Sequence, residues 1–369
     1  MARIELDLAH AYKAHPRGDD DYALLPLKMT FNDGGAYALL GPSGCGKTTL
    51  LNIVSGLVTP STGSVRFDGV DVTARTPQQR NIAQVFQFPV IYDTMTVAEN
   101  LAFPLRNRGV AADKIKPRVA KIAEMLELSG QLDSRAAGLA ADAKQKISLG
   151  RGLVREDVCA VLFDEPLTVI DPHLKWQLRR KLKQIHHELK LTLIYVTHDQ
   201  IEALTFAEQV IVMTRGRAVQ IGTASELFER PTHTFVGHFI GSPGMNFLPA
   251  RRNAAGFEVA GCTFAAPSGV SRAVDAFTLG IRPEYVALAQ ANAAGAVPAT
   301  VLQVQDIGTY WLVSARVGPA SGPGTELVRM RLAVGQAIPR VGESVWLGLL
   351  GAHTCYYADE RLIEEATSA

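Results

Sequence analysis

The stretch AYALLGPSGCGKTTLLNIVSGL, residues 36–57, decides the fold. It joins an apolar run to a helical run through a loop with the spacing GxxxxGK[ST], supplied by Gly41, Gly46, Lys47 and Thr48. Glycines let successive backbone N–H groups turn toward phosphate oxygens, and the start of the following helix adds its dipole. A chance glycine-rich turn is the alternative. The strand before the loop and the helix after it are the context that a phosphate-binding loop requires.

This loop predicts ligands for a nucleoside triphosphate and for Mg²⁺. Lys47 is expected to reach the β and γ phosphates, and the hydroxyl of Thr48 is expected to hold the metal ion. The other candidate nucleotide-binding residues of the loop surround the lysine: Ser43, Gly44, Cys45, Gly46 and Thr49.

Two later apolar runs end in side chains that suit phosphate chemistry. VCAVLFDEP, residues 158–166, ends with Asp164 and Glu165. Strand alternation sends neighbouring side chains different ways, so Asp164 is expected on the metal side and Glu165 at the point of attack. LTLIYVTH ends with His198, for which we predict a γ-phosphate contact. Each group alone would more often be a solvated strand end, but the phosphate loop in the same chain favours the catalytic interpretation.

The pattern of apolar residues predicts the α/β class for the first part of the chain. Residues 173–190 carry leucines at spacings of three and four, typical of an amphipathic helix, and they lie between two strand-like runs. Strand, helix, strand implies parallel pairing through a crossover. Residues 95–150 are predicted to form a helical subdomain, with Pro117 in the first turn of a helix, where its missing N–H does no harm.

From about residue 246 the pattern changes to short strands with frequent glycine and proline, which indicates an all-β barrel or a pair of small barrels. We therefore predict a nucleotide-binding domain over residues 1–235 and a C-terminal β-barrel domain over residues 236–369.

Composition restricts the possible partners and the compartment. The chain has 369 residues, is 47% hydrophobic and has a formal net charge of +1 with scattered basic residues, which argues against nucleic acid or an anionic membrane surface as main partner. It has no signal-like N-terminus and no apolar run long enough to span a membrane, so we expect a cytoplasmic protein. The cysteines are far apart and unpaired in spacing, which indicates a reducing compartment: Cys45, Cys159, Cys262 and Cys355.

Together these motifs resemble the nucleotide-binding subunits of ABC transporters, P-loop NTPases with a helical subdomain. The resemblance implies ATP and Mg²⁺, with Thr48, Gln87 and Asp164 near the metal. It also implies that Glu165 orients or deprotonates the attacking water, while His198 and Lys47 stabilise charge. The stretches that carry it are GPSGCGKTT (Walker A), VFQFPVIYDTMTVAEN (Q-loop, with Gln87), VLFDEP (Walker B), LTVID (D-loop) and YVTHDQIEAL (switch histidine).

An aromatic residue near the N-terminus fits the same resemblance. In LAHAYKA, residues 8–14, Tyr12 stands where the family has an aromatic that stacks on adenine. Tyr22 is the rival candidate, and an ordinary packing role for Tyr12 is a further alternative.

The C-terminal part resembles the OB-like regulatory β domain of the maltose and glycerol-phosphate importer ATPases, through FIGSPGMNFLPA (residues 239–250) and LGIRPEYVALA (residues 279–289). The resemblance implies an ATPase for uptake of a carbohydrate or polyol, peripheral at the cytoplasmic face of the inner membrane. Its partners would be two membrane-spanning permease subunits and, indirectly, an external solute-binding protein. One alternative is a nucleotide-sensing regulatory protein with negligible turnover. Another is a soluble ABC ATPase of DNA repair or translation, for which no coiled-coil insertion or basic patch is visible.

One motif departs from the family. Where its members have Leu-Ser-Gly-Gly-Gln, the segment that contacts ATP on the opposite subunit, this chain has LAADA, residues 139–143. Ala140 removes a hydroxyl donor worth about 1.5–3 kcal/mol against a charged acceptor. Asp142, expected to accept free N–H groups at the helix start, would repel a phosphate charge ~4 Å away by about 4 kcal/mol at an effective dielectric of about 20. Neutralisation by Lys144 or Lys146 is the alternative. We predict a heterodimer with a second ATPase subunit that has an intact signature.

Overall fold

The computed structural model describes residues 2–168, 170–265, 275–291, 293–318 and 326–363. The chain divides into two compact units, Met1–Ala224 and Ser225–Ala369.

The first unit is an α/β domain, as predicted. Its central sheet has the strand order β10-β9-β3-β8-β7-β6, in which β10 is antiparallel and the other five strands are parallel. A smaller antiparallel sheet has the order β2-β1-β4-β5. The strands of this unit are β1 (Ile4–His10), β2 (Leu24–Phe31), β3 (Ala36–Leu40), β4 (Thr62–Phe67), β5 (Val70–Asp71), β6 (Ile82–Val85), β7 (Ala160–Asp164), β8 (Leu193–Thr197), β9 (Gln209–Thr214) and β10 (Arg217–Gly222). Its helices are α1 (Lys47–Ser55), α2 (Pro77–Arg80), α3 (Val97–Arg106), α4 (Ala112–Met125), α5 (Ala141–Leu153), α6 (Pro172–Leu189) and α7 (Gln200–Phe206).

The central strands have the burial that is typical of a parallel sheet covered on both faces. Every residue of β3 and of β8 is buried, so these strands are apolar throughout rather than alternating. Helix α6 provides the crossover between β7 and β8 and buries Leu178, Leu182 and Ile185, members of the predicted apolar face. Because β8 pairs with both β3 and β7, the carboxyl ends of these three strands meet at one edge of the sheet.

Helix α1, which begins at the phosphate loop, is fixed at its other end by a buried arginine. Arg80 is 2% exposed. Its guanidinium donates to the carbonyl oxygens of Ile53 and Val54 in the last turn of α1, and to that of Thr73. The carbonyl groups at the end of a helix lack their full set of intrahelical partners, so Arg80 supplies a donor to Ile53 and Val54 without water.

Helices α3, α4 and α5 lie within the segment predicted to be helical, but Pro117 is not in a first turn. Helix α4 begins at Ala112, which puts Pro117 in the second turn. Its ring removes the hydrogen bond to the carbonyl of Asp113, and both residues lie on the exposed side of the helix. Water can satisfy that carbonyl, so the helix continues past the proline.

The second unit is built from strands, with two helices before them. Its sheets have the orders β13-β12-β11-β14-β20-β21 and β15-β19-β16-β17-β18, and residues from both form one apolar core. The all-β prediction for the C-terminal part is confirmed. The elements are α8 (Ala224–Glu229), α9 (Thr234–Phe239), β11 (Asn246–Asn253), β12 (Gly256–Val259), β13 (Cys262–Phe264), β14 (Ala276–Ile281), β15 (Ala287–Ala289), β16 (Ala296–Asp306), β17 (Tyr310–Val317), β18 (Glu326–Ala333), β19 (Ser344–Gly348), β20 (Cys355–Ala358) and β21 (Arg361–Leu362).

The division between the units follows Ala224, the first residue of α8, whereas the sequence pattern put the domain boundary after residue 235. Contacts with the strands explain this difference. The buried guanidinium of Arg282 donates to the carbonyl oxygens of Leu227 and Ile240, and the hydroxyl of Tyr357 donates to that of Pro231. These long-range bonds join the helical segment to the β domain, and local sequence does not reveal them.

Within the residues described, no helix is both long and apolar enough to cross a membrane.

Candidate functional site: the phosphate loop and its neighbouring strand ends

The predicted phosphate loop connects β3 to α1. Gly46, the N-cap of α1, has φ of 103°, and a Cβ there would lie 2.5 Å from the carbonyl oxygen of Ala23, so only glycine fits without strain. Ser43 and Gly44 are exposed, whereas Cys45 is buried and burial raises the pKa of its thiol. The loop therefore offers its backbone and the start of α1 to solvent while Cys45 anchors it.

The side chains of Lys47 and Thr48, which are predicted to bind phosphate and metal, have different hydrogen-bond partners. Lys47 is 5% exposed, and its Nζ donates to the carbonyl oxygens of Gly41 at 2.8 Å and Pro42 at 2.9 Å. The Thr48 hydroxyl donates to Oδ1 of Asp164 at 3.2 Å. The structure thus brings together the hydroxyl and the carboxylate that the sequence assigns to the metal.

Asp164 and Glu165 lie where β7 ends. Burial, and secondarily the charge of Glu165, raise the pKa of Asp164, while the Thr48 hydrogen bond and Lys47 oppose this effect. Glu165 has φ of 47°, the left-handed region, which costs a non-glycine residue strain energy and is frequent at functional sites. Its N–H still donates to the carbonyl of Val196, so the β7–β8 ladder holds the strained residue in place.

His198 follows β8 directly and contacts Glu165. The distance from His198 Nδ1 to Glu165 Oε2 is 3.1 Å, and His198 is the more exposed of the pair. The imidazole and carboxylate therefore meet as a pair beside Asp164, and the predicted catalytic groups Lys47, Glu165 and His198 all lie at the same edge of the sheet.

Gln87 and Tyr12 are positioned by different parts of the fold, Gln87 by β6 and Tyr12 by a contact with α1. Gln87 is half-buried two residues after β6, the parallel neighbour of β7, and within the described residues no hydrogen bond joins it to the other site groups. Tyr12 is exposed, and its hydroxyl lies 3.1 Å from the Thr49 hydroxyl on α1. That contact favours Tyr12 over Tyr22 as the residue that stacks on adenine, which stays a prediction.

Sequence reasoning missed Thr168, whose hydroxyl donates to Glu165 Oε2 at 3.2 Å. It lies three residues after Glu165, and the N–H of Thr168 also donates to the Glu165 carbonyl. A threonine three residues after a strand-end carboxylate is weak evidence for a contact between the two. The turn that brings them together is visible only in the structure.

The donor set fits Mg²⁺ held jointly with a triphosphate. Mg²⁺ takes oxygen ligands and is usually bound by one or two protein groups together with substrate phosphates. Thr48 and Asp164 provide that pair, and no group of three or more His, Cys, Asp or Glu side chains in the described part of the chain could hold a metal ion alone.

Comparison with known proteins identifies the family. A family model described as ABC transporter matches residues 24–168. The sn-glycerol-3-phosphate import ATP-binding protein UgpC of Escherichia coli O1:K1 / APEC is 42% identical over 328 residues, which cover 88% of this chain and 90% of UgpC. This chain is an ABC transporter ATPase. The corresponding UgpC of Salmonella typhi is 41% identical over 90% of this chain and 92% of its own length.

The second unit of the ATPase also matches known domains. Residues 241–286 match the MalK OB fold domain, and residues 279–356 match the TOBE domain. Among solved structures, cbiO1 of Clostridium perfringens, part of the ABC transporter complex cbiONQ, is 25% identical with a TM-score of 0.56, covering 62% of this chain and 90% of cbiO1. The ADP conformation of MJ1267, an ATP-binding cassette, is 23% identical with a TM-score of 0.53, covering 63% of this chain and 96% of MJ1267, and shows the fold alone. Nothing in these comparisons supports the alternative of a regulatory protein with negligible turnover.

The divergent signature segment forms the start of α5. Ala140 occupies the N-cap position and makes no side-chain cap hydrogen bond. Asp142 is the second residue of the helix and is half-buried. The predicted hydrogen bonds from free N–H groups to its carboxylate are not found among the described residues, because Ala140 holds the position from which a side chain reaches them.

The lysines expected to neutralise Asp142 pair with other carboxylates. Lys144 Nζ lies 3.2 Å from Asp93 Oδ1, and Lys146 Nζ lies 3.6 Å from Glu127 Oε2. Within the described ranges, no ion pair joins Asp142 to either lysine. The alternative in which Lys144 or Lys146 neutralises Asp142 therefore lacks the ion pair that it predicts.

Replacement of Tyr12 by alanine is expected to weaken ATP binding about tenfold, since base stacking on an aromatic ring contributes about 1–3 kcal/mol. Titration of the purified chain with a fluorescent ATP analogue measures the change. Tyr22→Ala is the matched control and should leave the affinity within twofold. Equal losses in the two variants, or a loss only in Tyr22→Ala, would assign the stacking role elsewhere.

Proposed function

We propose that this ATPase powers import of a carbohydrate or polyol, such as glycerol 3-phosphate, glycerol or a sugar, through a membrane ABC transporter. The observation that carries the hydrolytic part is the meeting of Lys47, Asp164, Glu165 and His198 at the carboxyl ends of three adjoining strands. The solute class is supported by the UgpC relatives, which are named as sn-glycerol-3-phosphate import proteins, and by the match to the MalK OB fold domain.

The geometry supports specific roles in hydrolysis. Glu165 orients or deprotonates the attacking water, and its pairing with His198 holds both groups toward the terminal phosphate. His198 and Lys47 stabilise negative charge on the transferred group. Thr48 and Asp164, together with Gln87, would hold Mg²⁺, which when bound neutralises phosphate charge.

The partners are membrane proteins. The ATPase sits peripherally at the cytoplasmic face of the inner membrane and binds two permease subunits, with an external solute-binding protein acting through them. Exposed apolar residues next to Gln87 support a docking role for the segment after β6, since large apolar groups in a cluster mark interaction sites. They are Phe86, Phe88, Val90 and Tyr92.

The active assembly is an asymmetric ATPase dimer. ATP lies between the Walker A loop of one subunit and the signature segment of the other. This chain has an ordered phosphate site of its own, but its signature segment has no hydroxyl at Ala140 and a carboxylate at Asp142 without a cationic partner in the described chain. A second ATPase subunit with an intact signature would complete one competent site, built on Lys47 and Glu165 of this chain.

Replacement of Glu165 by glutamine in a deletion strain complemented with the gene should abolish uptake of the transported solute, because the chain contributes the competent catalytic carboxylate. Uptake of radiolabelled glycerol 3-phosphate, glycerol and maltose measures this and identifies the solute class. Glu188→Gln, an exposed change on α6, is the control and should retain uptake. Normal uptake of all three solutes in the Glu165→Gln strain contradicts the proposed function.

Restoration of the signature should increase the ATPase rate of the purified chain at least tenfold. The variant combines Ala140→Ser, Ala141→Gly, Asp142→Gly and Ala143→Gln, which restores donors and removes a repulsion of about 4 kcal/mol at ~4 Å and a dielectric of about 20. Steady-state phosphate release measures the rate.

Two single substitutions test whether the charge of Asp142 itself lowers the ATPase rate. Asp142→Asn should recover part of the rate, whereas Asp113→Asn, at the same second position of α4, should change nothing. Brisk turnover by the unaltered chain alone, or no gain in the restored variant, is the outcome that rejects the asymmetric dimer while leaving the transport function standing.

A further inference from the structure

Helix α7 carries a carboxylate that is buried next to the switch-histidine loop. Glu202, four residues after His198, is 4% exposed. Ionisable side chains are almost never this buried unless paired, because loss of hydration is costly. Glu202 does not contact the phosphate loop in any hydrogen bond or ion pair of the described residues, so its burial needs another explanation.

Both oxygens of Glu202 have partners. Oε2 accepts hydrogen bonds from the hydroxyls of Tyr195 at 3.0 Å and Thr197 at 2.8 Å, both on β8. Oε1 lies 3.8 Å from Nζ of Lys175 on α6. Burial and the charge of Glu202 raise the pKa of Tyr195 well above its ordinary value, so the phenol stays protonated and donates. The carboxylate therefore ties the end of β8 to α6.

The hydroxyl of Thr197 connects Glu202 to the backbone next to His198. It donates to Glu202 and accepts a hydrogen bond from the N–H of Asp199 at 3.0 Å. Asp199 in turn caps α7, since its Oδ1 accepts from the N–H groups of Ile201 and Glu202. His198 therefore lies between Thr197 and Asp199, and both of these residues are hydrogen-bonded to Glu202. The His198 ring itself is half exposed.

The same carboxylate is linked to the segment that precedes α6. The N–H of Lys175 donates to the carbonyl of Asp171 at 2.9 Å, and Asp171 is the last residue of the D-loop-like stretch and the N-cap of α6. Glu202 is therefore the point at which the start of α6 and the switch-histidine loop are joined by side chains.

We infer that Glu202 is a positioning residue for His198: through Thr197 and Lys175 it fixes the imidazole against Glu165 and couples it to the start of α6. This inference rests on the proposed function, in which His198 acts in hydrolysis. A displacement of about 1 Å in a catalytic group can cost as much as a hundredfold in rate. Loss of the carboxylate should therefore lower kcat, whereas the Walker A loop, which does not contact Glu202, should keep its affinity.

The experiment replaces Glu202 by glutamine in the assembled transporter, purified with its partners. If the amide oxygen accepts from both hydroxyls, the amide NH₂ group faces Lys175, and the ion pair to α6 is lost. We expect kcat to fall at least tenfold with KM for ATP within twofold, and Thr197→Val to give a similar loss. Glu188→Gln is the control on α6. In the His198→Ala background, Glu202→Gln should cause no further loss, since the two residues act as one unit.

A spectroscopic measurement on the isolated chain keeps the test independent of turnover. With ¹³C-labelled histidine, the Cε1–H resonance of His198, assigned by its disappearance in His198→Ala, should move in Glu202→Gln and remain in place in Glu188→Gln. An unmoved resonance, a kcat within twofold of the parent, or additive losses with His198→Ala would overturn the inference. Turnover that is unaffected by Glu165→Gln rejects the proposed function instead, and the resonance still reports on the Glu202 contact.

Discussion

The parallel pairing of β8 with both β3 and β7 is the constraint on which the site depends. In this register Leu40 lies opposite Thr197, and Val196 lies opposite Asp164. The residues at the ends of the three strands must then meet. The phosphate loop, the acidic residues Asp164 and Glu165, and His198 therefore come together although they are far apart in sequence. The three strands are buried except for Asp164 at the end of β7, and the site residues lie at or just beyond their carboxyl ends, the usual position of a ligand site in an α/β sheet.

Sequence alone predicted the parts of the molecule that local patterns encode. The phosphate loop has a fixed spacing around glycines, and the acidic pair and His198 each end an apolar run, so their positions followed from strand geometry. Pro117 was placed one turn too early, because an exposed helix tolerates proline in its second turn and no local signal marks its start. Thr168 and Glu202 were missed because their partners come from turns and helices whose positions only tertiary structure sets.

The two segments proposed to meet nucleotide, the phosphate loop and the start of α5, differ in their chemistry. The chain's own phosphate site has the buried Lys47, the strained Glu165 proposed as the catalytic carboxylate, and His198 paired with it. Strain of this kind costs stability and is often retained at functional sites. The start of α5 has neither a capping side chain nor a hydroxyl, and among the described residues Lys144 and Lys146 form ion pairs with Asp93 and Glu127 rather than with Asp142. This difference within one chain is the basis of the asymmetric dimer proposed above.

The most direct measurement of this asymmetry is the mass of the Glu165→Gln chain alone by sedimentation velocity with saturating ATP and Mg²⁺. Without hydrolysis, two chains whose signature segments attract the opposing phosphate should close into a stable dimer. A chain that repels it should not. We expect a monomer with ATP and without it, and a dimer only when a second ATPase subunit with an intact signature is added. A tight ATP-dependent dimer of this chain with itself would contradict the proposed repulsion.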